Sequence, residues 1–477
     1  MNGLLIFLNL LQSLANCITL KETLYVHRTR PGLLVQEVSF YNPTDKNIEV
    51  SVTQDILSSW ATEHSPIEHV KDNSEADADS GTKWHIGSKT LSKQVLLTVA
   101  GREFSRTGIM ELPAKKTVLR HSLTVFDYTV MENKGDKSVT QKTIRDRKSR
   151  CVKAVKSALH AGSSDLYEQH TLAWHQLWQS GFAISDSKAP DSLNSDVINS
   201  TLYYILSHVS STLQDLTSSP SEVSQAMTYL NKPRACYHNS HHTLQFSSLW
   251  QIGETVEAMN KGVDTHLSSL EHYGCSNYIK AGAEGVLQAV LLSLGGLSFR
   301  ESNDKVVHME FNVDPADLHR DYQFTNIRYA DKTFLNISVI VDESNHAVLH
   351  VSSSADNFYG TDAGLAEPVL LSQKTQTFPV KLTKPLTAIL YVSDSKKHLD
   401  SLRKIVQHVE VPVLAPAQDH RVLARHKHGH SYGGLPAIFW VILALLIVTF
   451  HFFLFKMIFS ELCKSDSGHY YRRRALS

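Results

Sequence analysis

Apolar and polar residues alternate with a period of two along the first part of the chain. Residues 33–54 hold two such runs around a Pro/Thr/Asp/Lys/Asn turn cluster at 43–47, and further alternating runs follow at 94–100 and 117–130. This period buries one face of a strand and leaves the other in solvent. The pattern predicts a hairpin over 33–54 within an N-terminal β-sandwich domain over 17–140.

The pattern changes to a helical period at about residue 141. Residues 143–162 place apolar side chains on one face and six Lys or Arg residues on the other. The next helix carries an apolar stripe that includes Trp174 and Trp178, and two indoles on one stripe require a large docking surface. We interpret this stripe as core packing between the β domain and more helices, within a helical region over 141–295.

Strand patterns return after this region and predict a C-terminal β module over 296–395. An amphipathic helix and a stalk rich in His and Arg follow over 396–434. Residues 435–455 contain no formally charged side chain, and as a helix they would be about 31 Å long, close to the hydrocarbon thickness of a membrane. The fold class expected is therefore α+β, rich in β structure, with one C-terminal transmembrane helix.

Flanking charge orients the predicted span. Five Lys or Arg residues lie in the basic tail 456–477, against three in the fifteen residues before the span, which predicts a single-pass type I protein with a cytoplasmic C-terminus. The sequons at Asn199 and Asn336 precede the span and would be glycosylated in a luminal body. Residues 1–16 leave two alternatives open, a signal peptide or a shortened N-terminus whose strand-forming residues resemble one.

Cysteines and tail residues suggest modification and sorting. Cys236 and Cys275 flank one helical stretch and are the expected disulfide pair in an oxidising compartment. Cys463, beside the span, is a candidate for acylation, with an inert thiol as the alternative. The tail resembles arginine-based retrieval signals, which indicates the endoplasmic reticulum or early secretory pathway. The positive charge of the tail would also anchor the span at an anionic leaflet. The arginines concerned are Arg472, Arg473 and Arg474.

Composition and missing motifs narrow the function. Lys+Arg and Asp+Glu both total 47, so no net charge attracts nucleic acid. The sequence has no Gly-rich phosphate loop and no Gly-x-Ser-x-Gly turn. His238, His241 and His242 are close in sequence, but adjacent histidines seldom point to one centre, so we expect hydrogen-bonded loop residues and no metal or other cofactor.

Two segments and the order of the elements resemble family 65 glycoside hydrolases and phosphorylases. The segments are HTLAWHQLWQSGFAI with INSTLYYILSHVSS, and LLSLGGLSFRES. The resemblance implies a β-sandwich that helices seat against an (α/α)6 catalytic barrel, followed by a β module. Residues 199–295 number only 97, which at roughly 12 residues per helix and about 5 per loop gives five or six helices, so a truncated barrel is expected.

Glycoside hydrolysis usually requires two carboxyl groups across the scissile bond. The acidic residues of 199–295 are scattered, and none stands in the tryptophan-aspartate-acid setting that family 65 enzymes use. We therefore expect no catalytic residue and a non-catalytic protein. The alternative is an active carbohydrate-processing enzyme, of the hydrolase or phosphorylase type, with a rebuilt site.

A second resemblance covers most of the chain from about Cys17, to an uncharacterised animal family of single-pass membrane proteins with a domain of unknown function. It rests on the segments NSTLYYILS, CYHNSHH, GGLSFRES, DLHRDYQFTNIRY and GLPAIFW through FHFFLFKMI. Members of that family begin with a longer N-terminal segment, which implies a shortened start here. The combined expectation is a type I membrane glycoprotein of the secretory pathway whose luminal, degenerate glycosidase-like body binds a protein or glycan partner.

Overall fold

The structure is a computed structural model, and the chain divides into two compact units. The first unit is Met1–Ser185 with Leu193–Leu414, and the second is Asp186–Ser192 with Ala415–Ser477. The structure describes residues 5–13, 16–52, 68–71, 83–92, 95–102, 108–130, 137–190, 192–231, 236–237, 242–250, 253–302, 304–330, 333–342, 346–411, 417–429 and 437–464.

The first unit begins with a seven-stranded antiparallel sheet in the order β1-β2-β3-β9-β7-β6-β5, and β4 pairs with β8 in a separate two-stranded sheet. The strands are β1 Leu5–Ser13, β2 Asn16–Val26, β3 Leu33–Tyr41, β4 Ile48–Val52, β5 Glu68–Lys71, β6 Lys83–Ser92, β7 Val95–Arg102, β8 Gly108–Leu112 and β9 Thr117–Val130.

The hairpin predicted over residues 33–54 is wrong in its pairing, although both of its strands form. β3 pairs with β2 and β9, whereas β4 leaves the sheet and pairs with β8. The cause is Asn42, which is fully buried and donates hydrogen bonds to the carbonyl oxygens of Lys46 at 2.8 Å and Leu112 at 2.9 Å. These bonds hold the turn against β8 and direct β4 into the second sheet.

Different layers cover the two faces of the seven-stranded sheet. Helix α1, Lys137–Ala161, packs Val155 and Ala158 against Val35 and Leu123 on one face. The β4–β8 pair covers the other face over a small cluster of Ile18, Val38, Phe40 and Leu112.

Seven further helices follow in the described part of the chain. Six of them begin between residues 195 and 283, which agrees with the five or six helices estimated from the length of this region. They are α2 Ser163–Leu177, α3 Ser195–His208, α4 Pro220–Leu230, α5 Ser247–Trp250, α6 Val256–His272, α7 Ser276–Lys280 and α8 Ala283–Gly295, with a 3-10 turn at Thr243–Gln245. Almost every residue of α8 is buried, so this apolar helix is the centre of the helical layer. Gly296, in the left-handed conformation at φ 58°, ends α8 and starts the next strand.

The C-terminal part of the first unit contains two five-stranded sheets in the orders β10-β13-β14-β15-β18 and β11-β12-β20-β16-β17, and β19 pairs with β21. The strands are β10 Gly181–Ile184, β11 Leu297–Glu301, β12 Val307–Phe311, β13 Tyr322–Ala330, β14 Thr333–Val341, β15 Ala347–Ser353, β16 Phe358–Asp362, β17 Val369–Leu371, β18 Gln376–Pro379, β19 Leu382–Lys384, β20 Leu390–Ser393 and β21 Val409–Val411, with a 3-10 turn at Pro315–Asp317 and helix α9 at Lys396–Ile405. Phe311 on β12 and Phe324 on β13 join the two sheets, and their ring centroids lie 5.9 Å apart.

The second unit contains helix α10, Ala417–His428, and helix α11, Ala437–Lys464. The segment Asp186–Ser192 contacts α10 through a 2.7 Å hydrogen bond between Ser187 Oγ and His426 Nδ1. Within α11, Ala437–Leu462 is long and apolar enough to cross a membrane, which agrees with the predicted span at 435–455 by length and composition.

The structure confirms the expected α+β, β-rich class at the level of several sheets with helices between them. Residues 5–13, within the segment with two alternatives, form β1 and pair with β2. Cleavage of a signal peptide stays a prediction.

Candidate ligand groove

Helix α2 docks on the turn between β2 and β3 through polar as well as apolar contacts. The buried ring of His27 makes a 2.9 Å hydrogen bond through Nε2 to the carbonyl oxygen of Leu166. The backbone N–H of Arg28 donates to Nδ1 of His170 at 3.2 Å. Burial, then the nearby His170, lowers the pKa of His27 to about 4. The imidazole of His27 is therefore neutral at physiological pH.

Trp174 fills the centre of this junction and is only 3 % exposed. The guanidinium carbon of Arg28 lies 4.8 Å from its ring centroid, and the ring of Tyr203 on α3 lies 5.2 Å away. Arg28 Nη1 also donates to the carbonyl oxygen of Leu206 at 2.8 Å. The predicted docking of this helix between the N-terminal sheet and the helical layer is confirmed by these contacts.

Trp178 differs from the prediction that placed it in the core. It caps the C-terminus of α2, is only partly buried, and stacks on Trp174 with ring centroids 6.4 Å apart. Its remaining surface lines a cavity in front of β10. Because α2 ends at Trp178, the indole of Trp178 lies between the packed junction and an open cavity.

Three cavities follow one another along the front of the sheet that contains β10, β13 and β14, and we call them together the polar groove. The first, of about 400 Å³, is lined by Trp178, Gly181, Phe182, Ala183, Asp196, Asn199, Gln323 and Thr325. The second, of about 660 Å³, is lined by Gln179, Gln323, Thr325, Asn326, Asn336, Ser338, Ile340, His350, Ser352 and Thr375. The third, of about 330 Å³, is lined by Gln176, Leu177, Gln179, Ser180, Leu230, Glu284, Leu287, Gln288, Asn326, Arg328 and Phe334.

Shared lining residues show that these cavities are direct neighbours. Gln323 and Thr325 line both the first and the second cavity. Gln179 and Asn326 line both the second and the third. The groove therefore runs from Trp178 past the amide and hydroxyl side chains of the sheet to the start of α8.

Asn326 holds the boundary between the second and third cavities. Its φ of 50° lies in the left-handed region, at an irregularity in the pairing of β13 with β14. Its backbone N–H donates to Oδ1 of Asn336 at 2.8 Å, and its side-chain Nδ2 donates to the carbonyl oxygen of Gln179 at 2.8 Å. A short polar side chain tolerates this backbone, which explains an Asn at the bulge.

Glu284 lies in the first turn of α8 at the end of the groove. Burial raises the pKa of Glu284, and the backbone N–H at the helix start and the charges of Arg28 and Arg328 only partly oppose that rise. Its Oε2 is buried without a hydrogen-bond partner among the described residues. A carboxyl group in this setting is stabilised in its protonated form and can then donate a hydrogen bond.

Arg328 provides the positive charge of the third cavity. Its guanidinium carbon lies 5.0 Å from the ring centroid of Phe334, and Nη1 donates to Asn231 Oδ1 at 3.4 Å. Gln288 on α8 clamps the Arg328 backbone, with Nε2 donating to its carbonyl oxygen at 3.0 Å and Oε1 accepting from its N–H at 3.2 Å. The sheet and the central helix thus fix this side of the groove together.

The groove combines hydrogen-bonding amides and hydroxyls with aromatic and aliphatic surface. Asp196 is the carboxyl group of the first cavity and Glu284 that of the third, and none of the three sets of lining residues contains both. The described residues contain no group of three His, Cys, Asp or Glu side chains placed to hold a metal ion. The lining suits a neutral ligand with several hydroxyl groups.

Both predicted glycosylation residues lie on the groove. Asn199, on α3, lines the first cavity, and Asn336, on β14, lines the second. Nδ2 of Asn336 is 3.5 Å from Ser352 Oγ, a long and weak hydrogen bond. Glycosylation of either residue stays a prediction.

The remaining predicted sites lie away from the groove or outside the described residues. The structure joins Cys236 and Cys275 by a disulfide, and its formation in the cell stays a prediction. His242 contacts Asp317 at 3.4 Å, while His238 and His241 lie outside the described residues. The backbone of Cys463 lies in the last turn of α11, but its side chain is not described, and Arg472, Arg473 and Arg474 lie beyond the described part.

Comparison with known proteins places the chain in a family. Residues 2–474 match the family described as "Uncharacterized conserved protein" (DUF2152). The chain belongs to this family. Two relatives carry the name "Uncharacterized protein KIAA2013 homolog": the Xenopus tropicalis protein is 29 % identical over 96 % of this chain and 72 % of its own length, and the Xenopus laevis protein is 28 % identical over 96 % and 73 %.

A solved structure similar to this chain carries the name "Putative kojibiose phosphorylase from human microbiome". The match covers 64 % of this chain and 46 % of that one, with 14 % identity and a TM-score of 0.30. At that score the likeness is weak and carries no argument about the site.

Sequence reasoning missed Glu284 and Arg328 as lining residues of one cavity. Glu284 looked like any acidic residue of a polar helix position. A signal was present for Glu284, since it precedes the apolar run of α8 directly and so begins a helix that is buried on every side.

Proposed function

We propose that this protein is a non-catalytic, single-pass type I membrane glycoprotein of the early secretory pathway, and that the polar groove binds a glycan. The observation that carries the proposal is the row of three neighbouring cavities between the Trp178 indole and the Glu284 carboxyl group. Glycan recognition needs aromatic surface for the apolar face of a sugar ring and directional polar groups for its hydroxyls.

The shape of the groove favours a glycan over a protein partner. Each cavity lies in the roughly 300–1,000 Å³ range of small-molecule sites, and the cavities follow one another as the units of an oligosaccharide do. Protein interfaces are generally flatter and are anchored by a few large side chains. The large aromatic side chains that line the groove are Trp178 and Phe334, since the ring of Phe182 is buried against Tyr322 and Phe324.

The membrane topology in this proposal rests on independent features. Helix α11 supports one span, the basic tail supports a cytoplasmic C-terminus, and Arg472, Arg473 and Arg474 support retrieval to the endoplasmic reticulum. A luminal body would allow glycosylation of Asn199 and Asn336 and oxidation of Cys236 with Cys275, and Cys463 would be available for acylation. We further propose that both β modules have sandwich-like layers.

The arrangement of carboxyl groups supports binding without turnover. Hydrolysis of a glycosidic bond requires two carboxyl groups about 5 to 9.5 Å apart on either side of one bond. Each of the outer cavities contributes one, Asp196 or Glu284, and the second cavity has none among its lining residues. Glu284, whose pKa is raised by burial, is left as a single hydrogen-bonding group at the end of the groove.

A second candidate is a carbohydrate-processing enzyme of the phosphorylase type, which the pairing of Glu284 with Arg328 favours. A carboxyl group with a raised pKa can protonate a leaving oxygen, and an arginine can hold inorganic phosphate as the nucleophile. Full-length protein incubated with disaccharides, with and without phosphate, tests it. Release of a sugar or sugar phosphate that Glu284→Gln abolishes would establish the enzyme and end the non-catalytic proposal.

Glycan-array binding of the full-length protein in detergent tests the leading proposal. Enzymatically deglycosylated protein is assayed in parallel, because glycans on Asn199 or Asn336 would lie along the same groove. We expect selective binding that Trp178→Ala weakens at least tenfold and Glu284→Ala weakens several-fold, with Glu271→Ala on the exposed face of α6 as the matched control. Absence of glycan binding in both preparations, or equal binding by Trp178→Ala, would contradict the proposal.

A further inference from the structure

Outside the groove, four charged or titratable side chains form a chain of contacts on the C-terminal sheet that contains β11, β12 and β20. Nε2 of His398 on α9 lies 2.9 Å from Nδ1 of His308 on β12. Nε2 of His308 lies 3.2 Å from Oε1 of Glu310, whose Oε2 pairs with Nε of Arg300 at 2.6 Å. Both histidines are buried, so neither reaches bulk water in this arrangement.

This chain joins helix α9 to the face of the sheet beneath it. Arg300 and His308 are directly opposite each other on β11 and β12, and Ser393 is opposite His308 on β20. Leu399 and Leu402 of α9 pack on the same face in a cluster with Tyr391. Ser395 caps α9 by accepting a hydrogen bond from the backbone N–H of His398. The imidazole pair is therefore the polar part of the α9 docking site.

The groups that face the two rings are few and can be named. Glu310 on β12 and Arg300 on β11 are linked to His308, and the ring of Tyr391 on β20 lies 6.3 Å from it. Asp304, in the β11–β12 turn, and Asp394, between β20 and α9, act electrostatically on His398. Asp304 and Asp394 therefore act at the His398 end of this chain of contacts, whereas Glu310 contacts His308 on the other side.

Hydrogen-bond chemistry limits how many protons this pair can hold. With both rings neutral, His398 donates to His308, and His308 donates to Glu310. With one proton added, His308 donates through both nitrogens and His398 accepts. With two protons added, both facing nitrogens carry hydrogens, so the 2.9 Å contact becomes a repulsion between two cations.

We propose that the His308–His398 pair is a proton-operated latch that holds helix α9 on the sheet at neutral pH and releases it in a mildly acidic compartment. The second proton goes to His398, where Asp304 and Asp394 stabilise the imidazolium once the ring has turned away from His308. α9 and β21 are the last elements of the first unit before the stalk, so release loosens the chain where the body leads into the membrane-linked segment.

The direction of the pH effect follows from His398. Burial, then the neighbouring His308, lowers the pKa of His398 below its ordinary value of 6.5. A group that is harder to protonate in the folded state removes stability as pH falls below that ordinary value. Burial would raise the pKa of Glu310, but its contacts with His308 and Arg300 outweigh burial and lower that pKa, which favours the carboxylate at the far end of the pair.

Hydrogen–deuterium exchange of the full-length protein in detergent tests the latch at pH 7.4, 6.5 and 5.5. After correction for the intrinsic pH dependence of exchange, the opening of Lys396–Ile405 is expected to increase below pH 6.5 by up to about tenfold per pH unit, the limiting slope of a single linked proton. Helix α8 is the internal reference and should not change. His398→Gln, which can donate to His308 or accept from it, should abolish the pH response while keeping α9 protected at pH 7.4.

Two further variants keep the result interpretable. His346→Gln alters an exposed histidine paired with Asp342 and should keep the wild-type response. His308→Gln removes the other ring and should also abolish the response, which covers the case in which His398→Gln fails to fold. Equal α9 protection at pH 7.4 and 5.5 in the wild type, or an unchanged response in the folded His variant, would overturn the proposal.

Discussion

Helices α2 and α9 each dock on a β-sheet through two histidines, and their chemistry differs. His27 bonds to a backbone carbonyl and His170 accepts from a backbone N–H, whereas His308 and His398 bond to each other. A neutral histidine on a backbone partner keeps its contact until its own low pKa is reached. Two histidines that share one hydrogen bond repel each other when both are charged.

The two docking sites also differ in their apolar packing. The α2 site buries Trp174 under Arg28 and Tyr203, while the α9 site buries leucines of a ten-residue helix. The comparison indicates that α2 is a permanent part of the body that supports the groove, and that α9 is the element free to respond to conditions.

The largest expected effect is the loss of the Trp174 side chain. We expect Trp174→Ala to lower the free energy of unfolding by about 3–5 kcal/mol, because it removes the indole from a closed junction. Denaturant unfolding of the full-length protein in detergent measures it. Leu172→Ala, at a 54 % exposed position of the same helix, should change the free energy by less than about 0.5 kcal/mol. Equal effects of both variants would show that α2 is not the anchor.

The disulfide should stabilise the helical layer next to α2 and leave α9 unaffected. Cys236 and Cys275 are 39 positions apart, and removal of a bond closing such a loop typically costs about 2–4 kcal/mol. Cys275→Ser should therefore lower the thermal midpoint without changing the α9 pH response. Peptide mapping without reduction checks the pairing itself, and free thiols at both positions would refute it.

Acid should separate the two docking sites. Because burial and His170 lower the pKa of His27 to about 4, the α2 contact loses stability as pH falls below 6.5, by at most about 1.4 kcal/mol per pH unit from this group until its folded pKa is reached. The larger apolar junction should hold α2 closed at pH 5.5 while α9 opens. Exchange of α2 peptides at pH 7.4, 5.5 and 4.5 measures this, and parallel opening of both helices would remove the distinction.

The smallest expected effect on stability is that of Glu284→Gln. A carboxyl group whose pKa is raised by burial resembles an amide of the same shape, so the free energy of unfolding should change by less than about 1 kcal/mol. Thermal unfolding at pH 7.4 measures it. A strong destabilisation would show that Glu284 is an ionised partner of Arg28 and Arg328, and its role in the groove would be structural.

Local pattern in the sequence predicted the elements well and their partners poorly. β14 alternates buried and less buried positions as its sequence indicates, and the stripe on α2 is buried as expected except for Trp178. The hairpin at 33–54 was wrong because the buried amide of Asn42 binds β8, some 70 positions away. Such a bond leaves no trace in the periodicity of either strand.

The groove could not be predicted from the local sequence pattern, for the same reason. Its third cavity joins the end of α2, the start of α8 and the adjacent strands β13 and β14, which are far apart in sequence. The raised pKa of Glu284 depends on burial that only this assembly creates. The two sequons were visible in sequence, but their position on one groove was not.

Photo-crosslinking with a glycan selected on the array tests whether the polar groove binds the glycan, because it locates the ligand on the full-length protein. We expect adducts in peptides that contain Trp178 to Ala183 and Gln323 to Arg328, with labelling suppressed by excess free glycan and lost in Trp178→Ala. Competable adducts confined to another surface, with these peptides unlabelled, would contradict it.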